Sequence, residues 1–163
     1  MIFVTVGNDF RNFDRLLKKM DEIAPCLPGK VVIQRGYSRY SPRNTDCFDF
    51  IPMDRAVESI RRSELVVSHA GIGTIIHCKE YQIPLLILPR RKAFAEHMND
   101  HQLEIAHVLE ERRDENIYVV YHEDELKEAI CRILKEGKKR TPKGDAVKTN
   151  LLRTIRDFVQ AIR

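Results

Sequence analysis

Short apolar runs rich in β-branched residues recur along this chain, and segments with helical spacing of apolar positions separate most of them. The runs predict strands at residues 2–6, 31–34, 47–51, 65–67, 84–88 and 117–121. Apolar positions three to four apart predict helices at residues 10–24, 55–62, 72–81, 123–135 and 147–162, and one from residue 97 or 99 to residue 113. This order favours an α/β fold: a doubly wound, mostly parallel sheet with helices on both faces.

The stretch at residues 65–88 is the most informative part of the pattern. A buried strand leads into the turn Ser-His-Ala-Gly-Ile-Gly-Thr at residues 68–74, which precedes a helix and a second buried strand. Such a crossover joins parallel strands and places the turn at their carboxyl ends, where open α/β sheets usually bind ligands. Gly71 and Gly73 let backbone N–H groups approach a ligand, and the helix start adds a partial positive charge. We therefore expect this turn to bind an anion, above all a phosphate.

Length and charge narrow the class of protein. A chain of 163 residues with 43% hydrophobic and 32% charged residues favours one domain with a substantial core. We assign residues 1–136 to a Rossmann-like ligand-binding domain, and residues 137–163 to a basic linker and an amphipathic helix of the same domain. A net charge of +4 suits an anionic ligand, but it falls well short of a nucleic-acid-binding signature.

Other compositional features bear on location. No apolar run has the length of a membrane span, and the amino terminus has the pattern of a strand rather than a signal peptide. Cys26, Cys47, Cys78 and Cys131 show no pair spacing, which favours buried thiols in a reducing compartment over disulfides or zinc. We therefore expect a cytoplasmic protein. Residues 35–44 are polar and rich in turn formers, so they should form an exposed loop.

Taken singly, the chemical motifs allow more than one interpretation. Ile76 stands where a dinucleotide fingerprint would have its third glycine, so the two glycines could form a tight turn alone. His69 could be structural or functional. His97 and His101 have metal-ligand spacing but no evident third ligand. The basic run at residues 90–92 could hold phosphates or form a solvated loop.

Taken together, several segments closely resemble glycosyltransferase family 28, C-terminal domain type. The segments lie at residues 68–74, 84–92 and 96–103, and the pieces at 3–7 and 50–53 also fit. His-Ala-Gly-x-Gly-Thr and Asp-His-Gln-Leu are the most specific motifs, and the resemblance covers about residues 1–134. It is strongest to the stand-alone small subunits of two-chain UDP-N-acetylglucosamine and exopolysaccharide glycosyltransferases.

This resemblance implies one half of a GT-B enzyme, the half that binds a UDP-sugar donor without a metal or other cofactor. The transfer would be inverting. The resemblance assigns His69 a catalytic role and groups the substrate-binding residues by ligand part: Gly7, Asn8, Gly71, Gly73 and Thr74 at the diphosphate, Phe50, Ile51 and Met53 at the uracil, His77 at the ribose, and His101 and Gln102 at the donor sugar. Helix N–H groups, Thr74 and the basic loop would stabilise the leaving diphosphate in place of Mg²⁺.

Two positions depart from the family pattern. His77 stands where the family commonly has a glutamate that holds the ribose hydroxyls, and Asn8 replaces a common threonine. A histidine can still hydrogen-bond a hydroxyl, but it lacks the two-point grip of a carboxylate on a diol. Donor affinity or nucleoside choice should therefore differ from the family pattern.

The sequence supports two functional hypotheses, one of an enzyme subunit and one of a binding module. The first is a donor-binding subunit that acts with a separate, membrane-associated acceptor-binding chain on a lipid-linked sugar, because nothing here has the length of an acceptor-binding half. The second is a non-catalytic nucleotide-sugar-binding or assembly module; an epimerase of related fold is a third and weaker alternative. The final helix could dock a partner or pack on its own domain. An unpartnered half would expose its partner-binding face, so a homodimer in isolation is compatible with either hypothesis.

Overall fold

The computed structural model describes residues 1–137. Its six strands are β1 (Ile2–Thr5), β2 (Val31–Gln34), β3 (Asp46–Phe48), β4 (Leu65–Ser68), β5 (Leu85–Ile87) and β6 (Ile117–Val119). Its five helices are α1 (Asp14–Ile23), α2 (Met53–Arg62), α3 (Ile72–Glu80), α4 (His101–Glu111) and α5 (Leu126–Glu136). The predicted linker and helix at residues 138–163 lie outside the described residues. None of the described helices is long and apolar enough to cross a membrane.

The strands form one parallel sheet with the order β3-β2-β1-β4-β5-β6. This confirms the predicted doubly wound fold. The chain winds outward in one direction from β1 and in the other from β4, so the strand order reverses between these two strands. Thr5 pairs with Ser68 across them, and the residues that follow therefore meet at the same point of the carboxyl edge. Open α/β sheets bind ligands at this reversal point.

Alternating side chains along the strands build two hydrophobic cores. Val4 and Val67 face one side, where Leu16 of α1 and Ile130 of α5 cover the sheet. The intervening strand residues, among them Phe3 and Val66, face the other side. There they pack against Ile60 of α2, Ile75 of α3 and Ile105 of α4. A parallel sheet covered on both faces needs continuous apolar strands, which explains the unbroken hydrophobic runs in the sequence.

Several predicted boundaries are wrong because tertiary contacts override local periodicity. Helix α1 begins at Asp14 rather than at residue 10, and Phe10 is 69% exposed. The guanidinium of Arg90 donates hydrogen bonds to the carbonyls of Arg11 and Asn12, which hold this segment as a loop. Strand β3 ends at Phe48 rather than at residue 51, and α4 begins only at His101.

The cysteine prediction is also wrong in part. All four thiols are free, but Cys78 alone among them is buried. Cys131 lies on α5 between the inward-facing Ile130 and Ile133, and so points away from the core. Cys47 lies on β3, the edge strand of the sheet. Position on an element, rather than residue type, decides the exposure of each thiol.

Asp21 holds part of the predicted exposed loop against α1. Its carboxylate accepts hydrogen bonds from the Tyr40 hydroxyl at 2.8 Å and from the backbone N–H groups of Arg43 and Asn44 at 3.0 and 2.7 Å. Burial opposes ionisation, but these donors prevail and lower the pKa of Asp21. Residues 35–44 are therefore an anchored loop, with Ser38 buried at its centre.

We expect the Asp21→Asn variant to lose about 1–3 kcal/mol of unfolding free energy, because an amide NH₂ cannot accept the bonds that the carboxylate accepts. The contribution of Asp21 is present above the ordinary aspartate pKa, about 3.9, and is lost as the pH falls through the lower pKa of the folded state. Urea unfolding at pH 7 and at pH 3 measures both effects. Glu22→Gln, at the exposed neighbouring position, is the control; equal losses in the two variants would contradict this role.

Candidate functional site

A cleft of about 320 Å³ opens at the carboxyl edge of the sheet, next to the reversal point between β1 and β4. Its volume is within the range of small-molecule sites. The loop after β1, the turn between β4 and α3, and helix α2 form its walls. The lining side chains and backbone come from Phe3, Thr5, Gly7, Asn8, Gln34, Ile51, Met53, Ala56, Val57, Ile60, His69, Gly71, Gly73, Thr74 and His77.

Nine of the twelve predicted site residues line this cleft: Gly7, Asn8, Ile51, Met53, His69, Gly71, Gly73, Thr74 and His77. The other three lie outside it. Phe50 packs edge-on against Tyr37, with ring centroids 4.8 Å apart, and is itself partly exposed. His101 and Gln102 lie at the start of α4, after the loop that follows β5. The structure thus brings the loop after β1 together with Ile51, Met53 and the glycine turn, although Gly7 is 44 positions from Ile51 and 64 from Gly71 in sequence.

The imidazole of His69 lies between two glycines. A Cβ atom on Gly71 would stand 2.4 Å from His69 Nε2, and a Cβ on Gly7 would stand 2.6 Å from its Cε1. Neither distance leaves room for a side chain. Gly7 also has a φ of +71°, a conformation that favours glycine. Both glycines are therefore needed to admit this ring into the cleft wall.

His69 is neutral over the physiological pH range. Burial, together with the positive charge of Arg90, lowers the pKa of His69 to about 3. Its Nδ1 lies 3.1 Å from the Ser68 hydroxyl oxygen, and that hydroxyl donates to the Thr5 carbonyl at 2.8 Å. The ring is thus fixed at Nδ1, and its Nε2 lies on the side of Gly7 and Gly71.

Helix α3 begins beside this ring. Gly71 is its N-cap and provides no side-chain cap, so the N–H groups of the first turn remain available to a ligand. These groups carry the positive end of the helix dipole. Thr74, in the first turn, adds a hydroxyl that can donate a hydrogen bond to an anion.

The opposite wall of the cleft is apolar. Ile51 precedes α2, Met53 is its first residue, and Ala56, Val57 and Ile60 follow along that helix. Met53 is 65% exposed, so this wall reaches the surface. One cleft therefore combines an apolar wall, suited to a planar ring, with a polar wall, suited to an anion.

His77 lies on α3 within the same cleft. Its Nδ1 has no hydrogen-bond partner and lies 3.6 Å from the carboxylate of Glu80. Its ring stacks on Tyr81 with centroids 6.4 Å apart. This position suits a group that hydrogen-bonds a ligand hydroxyl.

Arg90 is neither a phosphate ligand nor part of a solvated loop, the two roles considered from the sequence. Its side chain is fully buried, and none of residues 90–92 lines the cleft. Its guanidinium donates to the carbonyls of Val6 at 2.9 Å and Glu96 at 3.0 Å, besides those of the first loop, and lies over the ring of Phe13. Arg90 therefore clamps the loop after β1 to the loop after β5.

Glu96 completes this clamp from the second loop. Its carboxylate accepts two hydrogen bonds from Arg15, at 3.0 and 2.9 Å, and one from the backbone N–H of Arg91 at 3.0 Å. The buried Gln102 accepts the Arg90 backbone N–H through Oε1 at 3.1 Å. That bond fixes the amide, so its NH₂ group, a donor, is what remains for a ligand.

His97 and His101 are brought together, with ring centroids 4.4 Å apart. Asn99 Oδ1 lies within hydrogen-bond distance of Nδ1 in both rings, and the Asn99 backbone N–H donates to His97 Nδ1 at 3.4 Å. His97 Nε2 lies 3.8 Å from the carboxylate of Asp9. Within the described residues, no group of three or more His, Cys, Asp and Glu side chains is placed to hold a metal ion.

Sequence reasoning missed part of this site. Thr5 Oγ1 donates to Gln34 Oε1 at 2.9 Å and accepts the Gly7 N–H at 3.2 Å, which orders the cleft floor. Thr5 and Gln34 are each the last residue of an apolar strand. A polar residue at that position indicates a site residue at the carboxyl end of the strand. Phe3, Ala56, Val57 and Ile60 also went unpredicted as cleft residues, because core positions and cleft positions share one periodicity.

Comparison with known proteins places these features in a family. The model of the glycosyltransferase family 28 C-terminal domain matches residues 1–159. The human UDP-N-acetylglucosamine transferase subunit ALG13 is 31% identical over 119 residues, which cover 66% of this chain and 10% of that protein. The chain thus spans about a tenth of the length of this curated relative.

Solved glycosyltransferases share the fold at low identity. Acinetobacter baumannii MurG has a TM-score of 0.54 at 17% identity, covering 82% of this chain and 40% of that one. VinC, solved in complex with dTDP, has a TM-score of 0.56 at 18% identity, covering 98% and 41%. The spinosyn forosaminyltransferase SpnP has a TM-score of 0.60 at 18% identity, covering 83% and 35%. Because the family model spans nearly the whole sequence, this chain belongs to glycosyltransferase family 28, C-terminal domain.

Proposed function

We propose that this chain is the donor-binding subunit of a metal-independent, inverting UDP-sugar glycosyltransferase. In this proposal it acts with a separate acceptor-binding chain. The observation that carries the proposal is the two-sided cleft at the reversal point of the sheet. Its apolar wall at Ile51 and Met53 suits the uracil, and its glycine turn with the start of α3 suits the diphosphate. His77 lies on α3, where a ribose hydroxyl could reach it.

The chemistry of the lining supports metal independence. Among the described residues that line the cleft there is no Asp or Glu, the side chains that Mg²⁺ most often takes from a protein. Departure of a UDP leaving group increases the negative charge on the diphosphate. Fixed N–H groups at the start of α3 and the Thr74 hydroxyl would stabilise that charge without a cation.

The distribution of exposed apolar side chains supports a partner on this face. Seven large hydrophobic residues are exposed in the described part of the chain: Phe10, Tyr37, Phe50, Met53, Ile72, Phe94 and Met98. Each follows the carboxyl end of a strand, from β1 to β5, so all seven lie at the edge that holds the cleft. Exposed apolar residues that are scattered singly are ordinary on a protein surface. A set confined to one edge favours an interface with another protein.

The acceptor side of the reaction belongs to that partner. ALG13 is named as a subunit of a UDP-N-acetylglucosamine transferase, which supports a multi-chain enzyme here. We propose that the partner supplies the general base for the acceptor hydroxyl and is membrane-associated, with a lipid-linked sugar as acceptor. The present chain would then act at the cytoplasmic face of the membrane in polysaccharide or glycolipid synthesis.

A non-catalytic nucleotide-sugar-binding module is the alternative, and one observation favours it. His77 cannot grip the two ribose hydroxyls as a carboxylate can, so the donor could bind too weakly for turnover. Such a module could also form a homodimer through its exposed edge. The two functions differ in whether a partner chain confers sugar transfer.

Calorimetric titration with UDP, UDP-N-acetylglucosamine, UDP-glucose, UDP-glucuronate and NAD, all in EDTA, tests the proposal. We expect UDP and at least one UDP-sugar to bind, and Thr74→Val to weaken binding about tenfold because one charge-assisted hydrogen bond is lost. Lys92→Met, at an exposed position outside the cleft, is the matched control. Absence of uridine nucleotide binding, both alone and with a co-expressed acceptor-binding chain, would overturn the proposal. Binding without transfer in that complex would favour the module.

A further inference from the structure

We propose that Ser68 is a positioning residue that holds His69 as its Nδ1–H tautomer, so that diphosphate binding is coupled to the uptake of one proton at His69 Nε2. The proton-coupling half of this inference rests on the proposed function, because it requires a diphosphate in the cleft. The tautomer half concerns the free protein and stands without any ligand.

The hydrogen bonds of Ser68 determine the tautomer. A carbonyl oxygen can only accept, so the single hydroxyl proton of Ser68 is committed to the Thr5 carbonyl at 2.8 Å. The Ser68 oxygen can then only accept from His69 Nδ1, which lies 3.1 Å away. Nδ1 must therefore carry the ring proton, and Nε2 carries the lone pair. Ser68 is fully buried in β4, so water does not compete for either bond.

This tautomer presents the wrong group to an anion. Nε2 lies 3.0 Å and 2.4 Å from the positions that a Cβ on Gly7 and on Gly71 would take, within the part of the cleft that suits the diphosphate. No Lys or Arg is among the described residues that line the cleft, so no side-chain cation there offsets the ligand charge. A phosphate oxygen placed against a bare Nε2 would meet lone pair against lone pair. Protonation of Nε2 converts that repulsion into a charge-assisted hydrogen bond.

The surroundings of His69 keep it neutral until a ligand arrives. Arg90 and His97 disfavour the imidazolium, whereas Asp9 and the Thr5 carbonyl favour it. Burial and these charges together lower the pKa of the free ring to about 3. A bound diphosphate adds negative charge directly at the ring, which raises the affinity of Nε2 for a proton. The proton comes from solvent, Nδ1–H stays bonded to Ser68, and no covalent bond to the ligand forms.

Two measurements test this inference on the whole chain. Long-range ¹H–¹⁵N correlation spectra, with His69 assigned by loss of its signals in His69→Gln, report the tautomer directly. We expect the Nδ1–H form in the free protein at pH 7 and the imidazolium with UDP bound. Calorimetry of UDP binding at pH 7 in buffers of different ionisation enthalpy should give uptake close to one proton. Affinity should then fall about tenfold per pH unit over the range in which that uptake persists, and level off above the pKa of the bound ring.

Variants separate a positioning role from a structural one. Ser68→Ala removes the acceptor for Nδ1–H, so we expect the Nε2–H form to appear and proton uptake to fall. Ser68→Thr keeps the hydroxyl and should restore both. Loss of affinity in Ser68→Ala with unchanged proton uptake would indicate a structural role and overturn the inference, as would an Nε2–H tautomer in the free wild-type protein. If UDP does not bind, the coupling and the proposed function fail together, while the spectrum of the free protein still decides the tautomer.

Discussion

Arg90→Met should be among the most destabilising single substitutions in the described part of the chain, with an expected loss of about 3–5 kcal/mol of unfolding free energy. The fully buried guanidinium donates to the backbone carbonyls of Val6, Arg11, Asn12 and Glu96. Methionine matches the apolar stem but leaves these acceptors without a donor. Because the same carbonyls position the loop after β1, nucleotide binding should fall together with stability.

Urea or thermal unfolding, followed by UDP titration of the folded fraction, checks this expectation. Arg90→Lys should recover little, since an ammonium cannot span carbonyls on two loops as a planar guanidinium does. Lys92→Met is the matched control, because it removes an exposed charge from the same loop and should change stability by less than about 0.5 kcal/mol. A loss in Arg90→Met no larger than in this control would show that the clamp does not hold the loops together.

Gly71→Ala should disrupt the site through one steric contact. The φ of Gly71 is −85°, which alanine adopts freely, so backbone strain does not contribute. Its new Cβ would stand 2.4 Å from His69 Nε2 and 2.8 Å from Cε1. The ring must move away from Ser68, at a cost of about 1–3 kcal/mol, and UDP binding should weaken at least tenfold.

A double-mutant cycle isolates that contact. Removing the imidazole in His69→Ala should abolish the steric cost, so Gly71→Ala should then change stability by less than about 0.5 kcal/mol. Gly73→Ala is the control for stability, because its Cβ meets no atom within 4 Å. It should even stabilise α3 by about 0.5–1 kcal/mol, since alanine favours a helix over glycine. Equal stability losses from Gly71→Ala with and without the imidazole would contradict the contact.

Local periodicity predicted the architecture well, since all six strands and the five described helices occur where apolar spacing placed them. It failed at boundaries where a distant group competes for the backbone. The segment at residues 10–13 has helical spacing, yet Arg90, 79 positions away from Arg11, holds it as a loop. Periodicity indicates which face of a segment is apolar. It does not indicate which backbone carbonyls accept hydrogen bonds from distant side chains.

Motifs predicted which segments lie together better than they predicted the contacts of the polar residues. The glycine turn meets Ile51 and Met53 in one cleft, because both segments follow strand ends on the same edge of a parallel sheet. The basic run at residues 90–92 shows the opposite outcome at its first residue, because a charge run indicates solvent exposure but Arg90 is buried. The role of Asp21 could not be predicted from its neighbours in sequence, because its hydrogen-bond partners come from a loop about 20 positions away.

The sequence by itself determined the alternation of strands and helices, the glycine turn after β4 and the family motif, because each depends on residues close together in the chain. The tertiary structure alone decided that Gly7 and Gly71 enclose His69, that Ser68 and Thr5 set its proton, and that Arg90 is a clamp. These features depend on the burial of polar groups. A buried donor or acceptor must find its partner wherever the fold brings one, and sequence spacing does not encode that meeting.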